Sequence, residues 1–167
     1  MIWIRPATIG DHDAIRRINT AAFGQPGEAL LVDRLRADGA VGVELVAEAE
    51  ASIVGHILFS RLPLVGEADT IEAAALAPMA VAPACQHSGI GSQLVDQGLR
   101  ACAEAGLAAV VVLGHRDYYP RFGFDPQLAI RLAAPYSGPS FMALELKAGA
   151  LAQPRHAQYA AAFQALD

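Results

Sequence analysis

The chain has 167 residues, of which 54% are hydrophobic and 17% charged, and a formal charge of -5. That is the length of one domain, 1–167, with enough apolar side chains for a core, which excludes a disordered chain and a two-domain protein. With 17 acidic against 12 basic residues and no Lys or Arg cluster to neutralise a row of phosphates, nucleic acid is excluded as a partner.

"WIRPAT" reads as a short first strand. Asp11 then stands as the cap of a helix whose Ile15, Ile18 and Ala22 share one face and which ends at Gly24. "PGEALLVDRLRADG" begins with Pro26 and closes with Gly39, the expected asymmetry for a second short helix. "VELVAEA" and "SIVGHILFSRL" are strand-like runs joined by a turn at Glu50 and Ala51, a hairpin with Ile53, Ile57 and Phe59 on one face. "TIEAAALAPMAV" is rich in alanine, yet Pro78 argues against a helix passing through it, and its neighbours make it a strand. From Gly89 to Gly106, Leu94, Val95, Leu99 and Cys102 form a helical stripe. The apolar run "AAVVVLG" that follows reads as a strand buried on both faces, so strand, helix and strand make a parallel crossover. The tail offers a helical piece at "RDYYPRF", a strand near Ala129 to Leu132, and an alternating strand at "FMALELK".

The longest uncharged stretch, Ala73 to Val95, is interrupted by Pro78, Pro83 and a glycine pair, so no membrane span is expected. The apolar start before Arg5 is too short for the core of a signal peptide, and the expected location is cytoplasmic. Cys85 and Cys102 lack a metal-ligand spacing, so neither a metal site nor a disulfide framework is expected.

The glycine pair lies in "VAPACQHSGIGSQLV", at the mouth of the third helix. A helix start exposes unpaired N–H groups and the positive end of the dipole, so it attracts an anion without help from Lys or Arg. Gly89 and Gly91 carry no side chain to hold a phosphate away, and either can take a positive φ. A P-loop needs a lysine where Ser92 follows Gly91, and a dinucleotide fingerprint needs a third glycine where Leu94 stands. Both are excluded. Read alone, the pair is equally well a turn that lets a helix pack on a sheet.

In context, Gln86-x-x-Gly89-x-Gly91, after a strand and before an amphipathic helix, resembles the pyrophosphate-binding motif of the GNAT superfamily of acyl-CoA-dependent N-acetyltransferases. "LAPMAVAPACQHSGIGSQLV", "VVVLGHRDYYPRFGF" and "FMALEL" are similar to the YhbS-like branch of predicted acetyltransferases, and the likeness runs over nearly the whole chain. The resemblance implies an α/β (α+β) fold: a mixed, mostly antiparallel central sheet, one parallel strand pair splayed at the acyl-CoA site, and helices on both faces. It implies acetyl-CoA as cofactor, its acyl carbonyl and pantetheine arm held along Met79, Ala80 and Val81. Its pyrophosphate would be cradled by N–H groups of Gln86, His87, Ser88, Gly89, Ile90, Gly91 and Ser92. His87 is the one side chain of this loop able to carry positive charge, which predicts modest affinity that sharpens as pH falls.

Tyr119 precedes Gly123 by the interval at which similar proteins place the tyrosine that protonates the departing thiolate, which implies a general acid there. Tyr118 is structural or substrate-facing, and both rings are equally suited to packing beside Phe122 and Phe124. The acceptor amine must be neutral to attack, at a cost of about 4.6 kcal/mol at pH 7 for a pKa of ~10.4 but only about 1.4 kcal/mol for ~8. Where some relatives carry a glutamate, this chain has Ala73, Ala74 and Ala75; Glu72, His56 and His115 are fallbacks, and none is assigned. Cys102 falls on the apolar stripe and reads as core, while Cys85 beside the loop lacks a paired base, so direct transfer is the simpler scheme. The expected acceptor is a small-molecule or peptide amine, and the resemblance allows a homodimer. A non-catalytic acyl-CoA-binding sensor is the alternative that a missing base leaves open.

Overall fold

The computed structural model describes residues 1–166, the last two by backbone alone. Strand β1 (Ile2–Pro6) leads through one 3-10 turn into α1 (His12–Phe23), which Gly24 ends at φ 70. After α2 (Gly27–Ala37) come the hairpin strands β2 (Val41–Ala49) and β3 (Ser52–Val65), turning at Glu50 and Ala51. Strand β4 (Thr70–Val81) runs back along β3, α3 (Ile90–Glu104) crosses over, and β5 (Ala109–Leu113) returns parallel to β4. The tail adds α4 (Pro126–Ala129), β6 (Leu132–Ala133), β7 (Phe141–Glu145), β8 (Arg155–Ala157) and a 3-10 segment, Ala161–Leu166. The sheet order is β1-β2-β3-β4-β5-β7, with β8 against the end of β3 and against β6. Along the main path only β4 and β5 are parallel.

Alternation along the strands divides the core between two faces. On one, Ile90, Leu94, Val95 and Cys102 of α3 cover Ile57, Phe59, Ala74 and Val110. The helix comes so close that a Cβ on Gly98 would stand 2.3 Å from the Phe59 ring. On the other face, Ile15 of α1 and Leu31, Val32 and Leu35 of α2 close over Val46 and Leu58. Helices therefore flank both faces, as expected. The alanine-rich β4 is a strand because β3 and β5 hydrogen-bond to it from both sides, and this pairing overrides its helical propensity.

Three local expectations are corrected. A register slip between Ala47 and Glu48 places Val54, not Ile53, on the face of Ile57, and Ile53 packs under the helices of the other face. Asp11 occupies the cap position of α1 but does not cap it: its carboxylate turns back to the Thr8 N–H at 2.8 Å and accepts two bonds from Arg5. Ala129 ends α4, and the strand expected near Ala129 to Leu132 is confined to Leu132–Ala133.

Candidate active site

Between β4 and α3 the chain makes a 3-10 turn at Pro83–Cys85 and a tight bend in which His87 (φ 65) and Gly89 (φ 87) take left-handed backbone. The first backbone bond of the helix runs from the Gln93 N–H to the Gly89 carbonyl at 3.1 Å. Ahead of it, the N–H groups of His87, Ser88, Gly89, Ile90, Gly91 and Ser92 meet no acceptor among the described residues, and no side chain caps the helix. The polar side chains nearby are spent on carbonyls instead: Gln86 donates to Val81 at 3.0 Å, and the Ser88 hydroxyl donates to Cys85. A row of bare donors is therefore left at the positive end of a 15-residue helix.

These residues border a cavity of about 440 Å³, shared by Val81, Cys85, Gln86, His87, Gly89, Ile90, Gly91, Ser92, Tyr118 and Arg121. At Gly91 a Cβ would lie 3.2 Å from the Tyr118 hydroxyl and 3.5 Å from the Met79 methyl, so a side chain there would press on the Tyr118 hydroxyl. Of the residues expected from the sequence, Val81 and most of the loop converge here. Met79 reaches Gly91 from below, while Ala80 is buried on the opposite face of β4, and Ser88 is turned away.

The parallel pairing of β4 and β5 is brief, from Ala74 against Val110 to Ala75 against Val111. Beyond it a bulge in β4, where Leu76 pairs with Phe59 and Met79 with Ile57, turns the strand away from β5. The stretch Leu76 to Val81 is thus left with no strand partner on its β5 side among the described residues. An extended chain has room to pair there.

The "YYPRF" segment forms a 3-10 turn, Tyr119–Phe122, closed by Gly123 at φ 102. Residues three apart eclipse in such a turn, and Arg121 accordingly stands 4.8 Å over the Tyr118 ring. No carboxylate among the described residues comes within ion-pair distance of Arg121, so its charge is available to the cavity. Sequence reading by loop composition missed this residue; the three-residue interval between Tyr118 and Arg121 is the signal that could have found it. The Tyr118 hydroxyl meets Ser92 Oγ at 3.1 Å.

Tyr119 does not line the cavity. It stands edge-on behind Tyr118, ring centres 5.1 Å apart, against Phe124 and the bare Cα of Gly114, where a Cβ would meet the ring at 2.5 Å. The residue is 8% exposed, and its hydroxyl has no hydrogen-bond partner, yet it is not among the polar atoms sealed from solvent. Burial, assisted by the neighbouring Tyr118, pushes its phenol up to about 12.

The fallback bases lie elsewhere. Glu72 is exposed near the start of β4, at the far end from the loop, and His115 is exposed beyond β5. His56 is fully buried, with Glu44 at 2.7 Å from Nε2 and Asn19 at 3.1 Å from Nδ1. Because the Asn19 amide group also donates to the Ile15 carbonyl, it donates to Nδ1, and the ring is neutral with its proton on Nε2 toward Glu44. Burial lowers the pKa of His56. It also works to raise that of Glu44, but bonds from His56 and Arg36 outweigh it and hold this carboxyl at about 2. Cys102, on the inner face of α3, is fully buried, and burial raises its thiol to about 12.

The profile of the acetyltransferase (GNAT) family matches residues 12–124. The Escherichia coli K12 protein described as uncharacterized N-acetyltransferase YjhQ is 42% identical over 118 residues, which make up 70% of this chain and 65% of YjhQ. The match therefore spans slightly less than two thirds of that relative. Among solved structures, a GNAT family acetyltransferase from Brucella melitensis in complex with acetyl-CoA superposes with a TM-score of 0.81 at 34% identity, covering 98% of each chain. The Escherichia coli N-acetyltransferase YhbS in complex with CoA superposes with a TM-score of 0.87 at 31% identity, covering 98% of this chain and 92% of that one.

Proposed function

The chain belongs to the acetyltransferase (GNAT) family, and from that premise we propose that it moves an acetyl group from acetyl-CoA to a primary amine, small-molecule or peptide, by direct attack in a ternary complex. The observation that carries this reading is the run of uncapped amides from His87 to Ser92 in a cavity that the end of β4 also lines. Such amides fit a diphosphate: they are donors without acceptors, opened by Gly89 and Gly91, and Arg121 adds a guanidinium, a permanent charge of a kind the loop has none of.

When bound, acetyl-CoA supplies an acetyl group activated as a thioester. The protein's part is to hold, orient and protonate. Amides of the loop and the Arg121 guanidinium bind the diphosphate, and the free edge of β4 near Met79 and Val81 offers backbone groups to an extended arm. Tyr119 Oη holds a proton through the neutral range and gives it to the departing sulfur; the low-dielectric surroundings that disfavour a phenolate disfavour a bare thiolate as well. Water takes the proton from the amine, because Glu72 stands exposed at the far end of β4, His115 is exposed beyond β5, and His56 is sealed with both ring nitrogens engaged.

Thermal denaturation with acetyl-CoA, followed by thiol release across a panel of amines, tests the proposal. Ligand at 100 times Kd should add about 2.7 kcal/mol of stability, and thiol release should require an amine. Absence of stabilisation overturns the reading. Stabilisation with no thiol release from any amine establishes instead the non-catalytic sensor, which the lack of a carboxylate lining the cavity among the described residues favours.

A further inference from the structure

Where β4 and β5 part, on the sheet face opposite α3, lies a small apolar pocket of about 150 Å³. Ala75 of β4 and Val111 and Leu113 of β5 form its strand walls on this face, and Tyr136, Tyr159 and Phe163 close it. The three rings stack edge to face, Tyr136 to Tyr159 at 5.0 Å and Tyr159 to Phe163 at 5.3 Å between centres. Among the described residues, no carboxylate and no Lys or Arg lines it. Leu113 immediately precedes Gly114, on which the Tyr119 ring rests, so the pocket opens one residue from the proposed acid. The diphosphate loop and this pocket therefore bracket the gap between the strands from its two sides.

Resting on the transfer reading above, we infer that this pocket receives the side group of the acceptor, and that the acceptor is an α-amine-like primary amine bearing one compact aromatic or branched aliphatic group. Three physical arguments converge. Walls of aromatic and aliphatic carbon favour an apolar group, and a second ammonium placed there would be stripped of water with no countercharge from the described residues. Pockets that enclose whole drug-sized ligands run to about 300–1,000 Å³, so this one holds a single group. With no base among the described residues placed to deprotonate the nucleophile, a substrate whose amine has a pKa of ~8 presents about one neutral molecule in ten at pH 7, against about one in 2,500 at ~10.4. Lysine-like amines and diamines are disfavoured on both counts.

Calorimetry on the full chain saturated with CoA, using phenylalaninamide, glycinamide and 1,5-diaminopentane as probes, tests the inference. Phenylalaninamide should bind at least tenfold more tightly than glycinamide, with diaminopentane weakest. Leu113→Asp, at a side chain already 52% exposed and so safe for the fold, should weaken phenylalaninamide tenfold or more and strengthen the diamine. Phe163→Ala should weaken phenylalaninamide too, and the rise in Tm given by CoA should persist in both variants. Equal binding of glycinamide, preference for the diamine, or indifference of phenylalaninamide to Leu113→Asp overturns the inference while a normal CoA shift leaves the transferase reading standing. A chain whose Tm does not respond to CoA overturns both.

Discussion

Replacing Tyr119 by Phe removes one oxygen and nothing else that the structure uses. The ring keeps its contacts with Tyr118, Phe124 and the Cα of Gly114, and the lost hydroxyl has no partner to leave unpaired. Folding stability should therefore change by less than about 0.5 kcal/mol. A positioned general acid is worth roughly 10²–10⁴ in rate, so kcat should fall by that factor, about 2.7–5.5 kcal/mol of barrier. The rise in Tm caused by acetyl-CoA should be retained. The phenol's pKa is raised from 10.0 to about 12 by burial, so the acid stays protonated across the assay range, and the wild-type rate should climb with pH as the amine loses its proton, with no fall before about pH 11. The same shift makes wild-type stability fall as pH rises from 10 toward 12, where the unfolded phenol ionises and the buried one resists, so at pH 7–9, below both values, melting comparisons do not vary with the titration of Tyr119. Steady-state kinetics beside the melts decide the matter: a variant with acetyl-CoA stabilisation intact and kcat within threefold of wild type removes Tyr119 from catalysis. Tyr118→Phe is the control, expected to change the KM for acetyl-CoA through its lost contact with Ser92 while keeping kcat.

Arg121→Gln deletes the cavity's unpaired cation and should weaken acetyl-CoA about tenfold to a hundredfold, the loss shrinking at high salt; titration calorimetry at two ionic strengths checks this, and a salt-independent loss would contradict an electrostatic role. Glu44, whose carboxyl drops from 4.5 to about 2 on folding, contributes about 3 kcal/mol that is fully present above pH 4.5 and disappears as pH falls toward 2. Urea melts of Glu44→Gln should show a deficit of about 2–3 kcal/mol at pH 7 that narrows by pH 3, whereas a gap indifferent to pH would mean that the charge is not what matters. His56, held neutral, acts in the neighbouring window: the unfolded imidazole takes a proton below pH 6.5 and the buried one resists, so wild-type stability should already decline there. Gly98→Ala gains about 1 kcal/mol of helix propensity but drives a methyl into the Phe59 ring, and chemical denaturation should show a net loss of about 1–2 kcal/mol; a stabilised variant would mean that the packing of α3 on β3 is looser than described.

Much of this molecule is legible from spacing along the chain. Apolar residues at helical intervals from Leu94 to Cys102, the uniform run from Ala109 to Leu113, and glycines at the mouths and ends of helices each report local backbone conformation, which neighbours in sequence control. The parallel crossover followed from those signals, whereas the glycine pair at the helix start became an anion site only through the family resemblance. Loop chemistry was harder to read, because whether an amide stays bare depends on where Gln86 and Ser88 send their side chains.

Tertiary structure decided what meets what. Arg121 serves the cavity only because a turn thirty residues downstream folds back beside the loop, and Asp11 forgoes its helix because Arg5 and the Thr8 N–H engage its carboxylate. The bulge that parts β4 from β5 depends on register with β3, and Tyr136, Tyr159 and Phe163 stack although the chain separates them widely. Periodicity assigns a residue to a face of its own element. The partner across the gap is settled by register and packing between distant segments, where the free energy of a contact comes from burial and charge rather than from proximity in the chain.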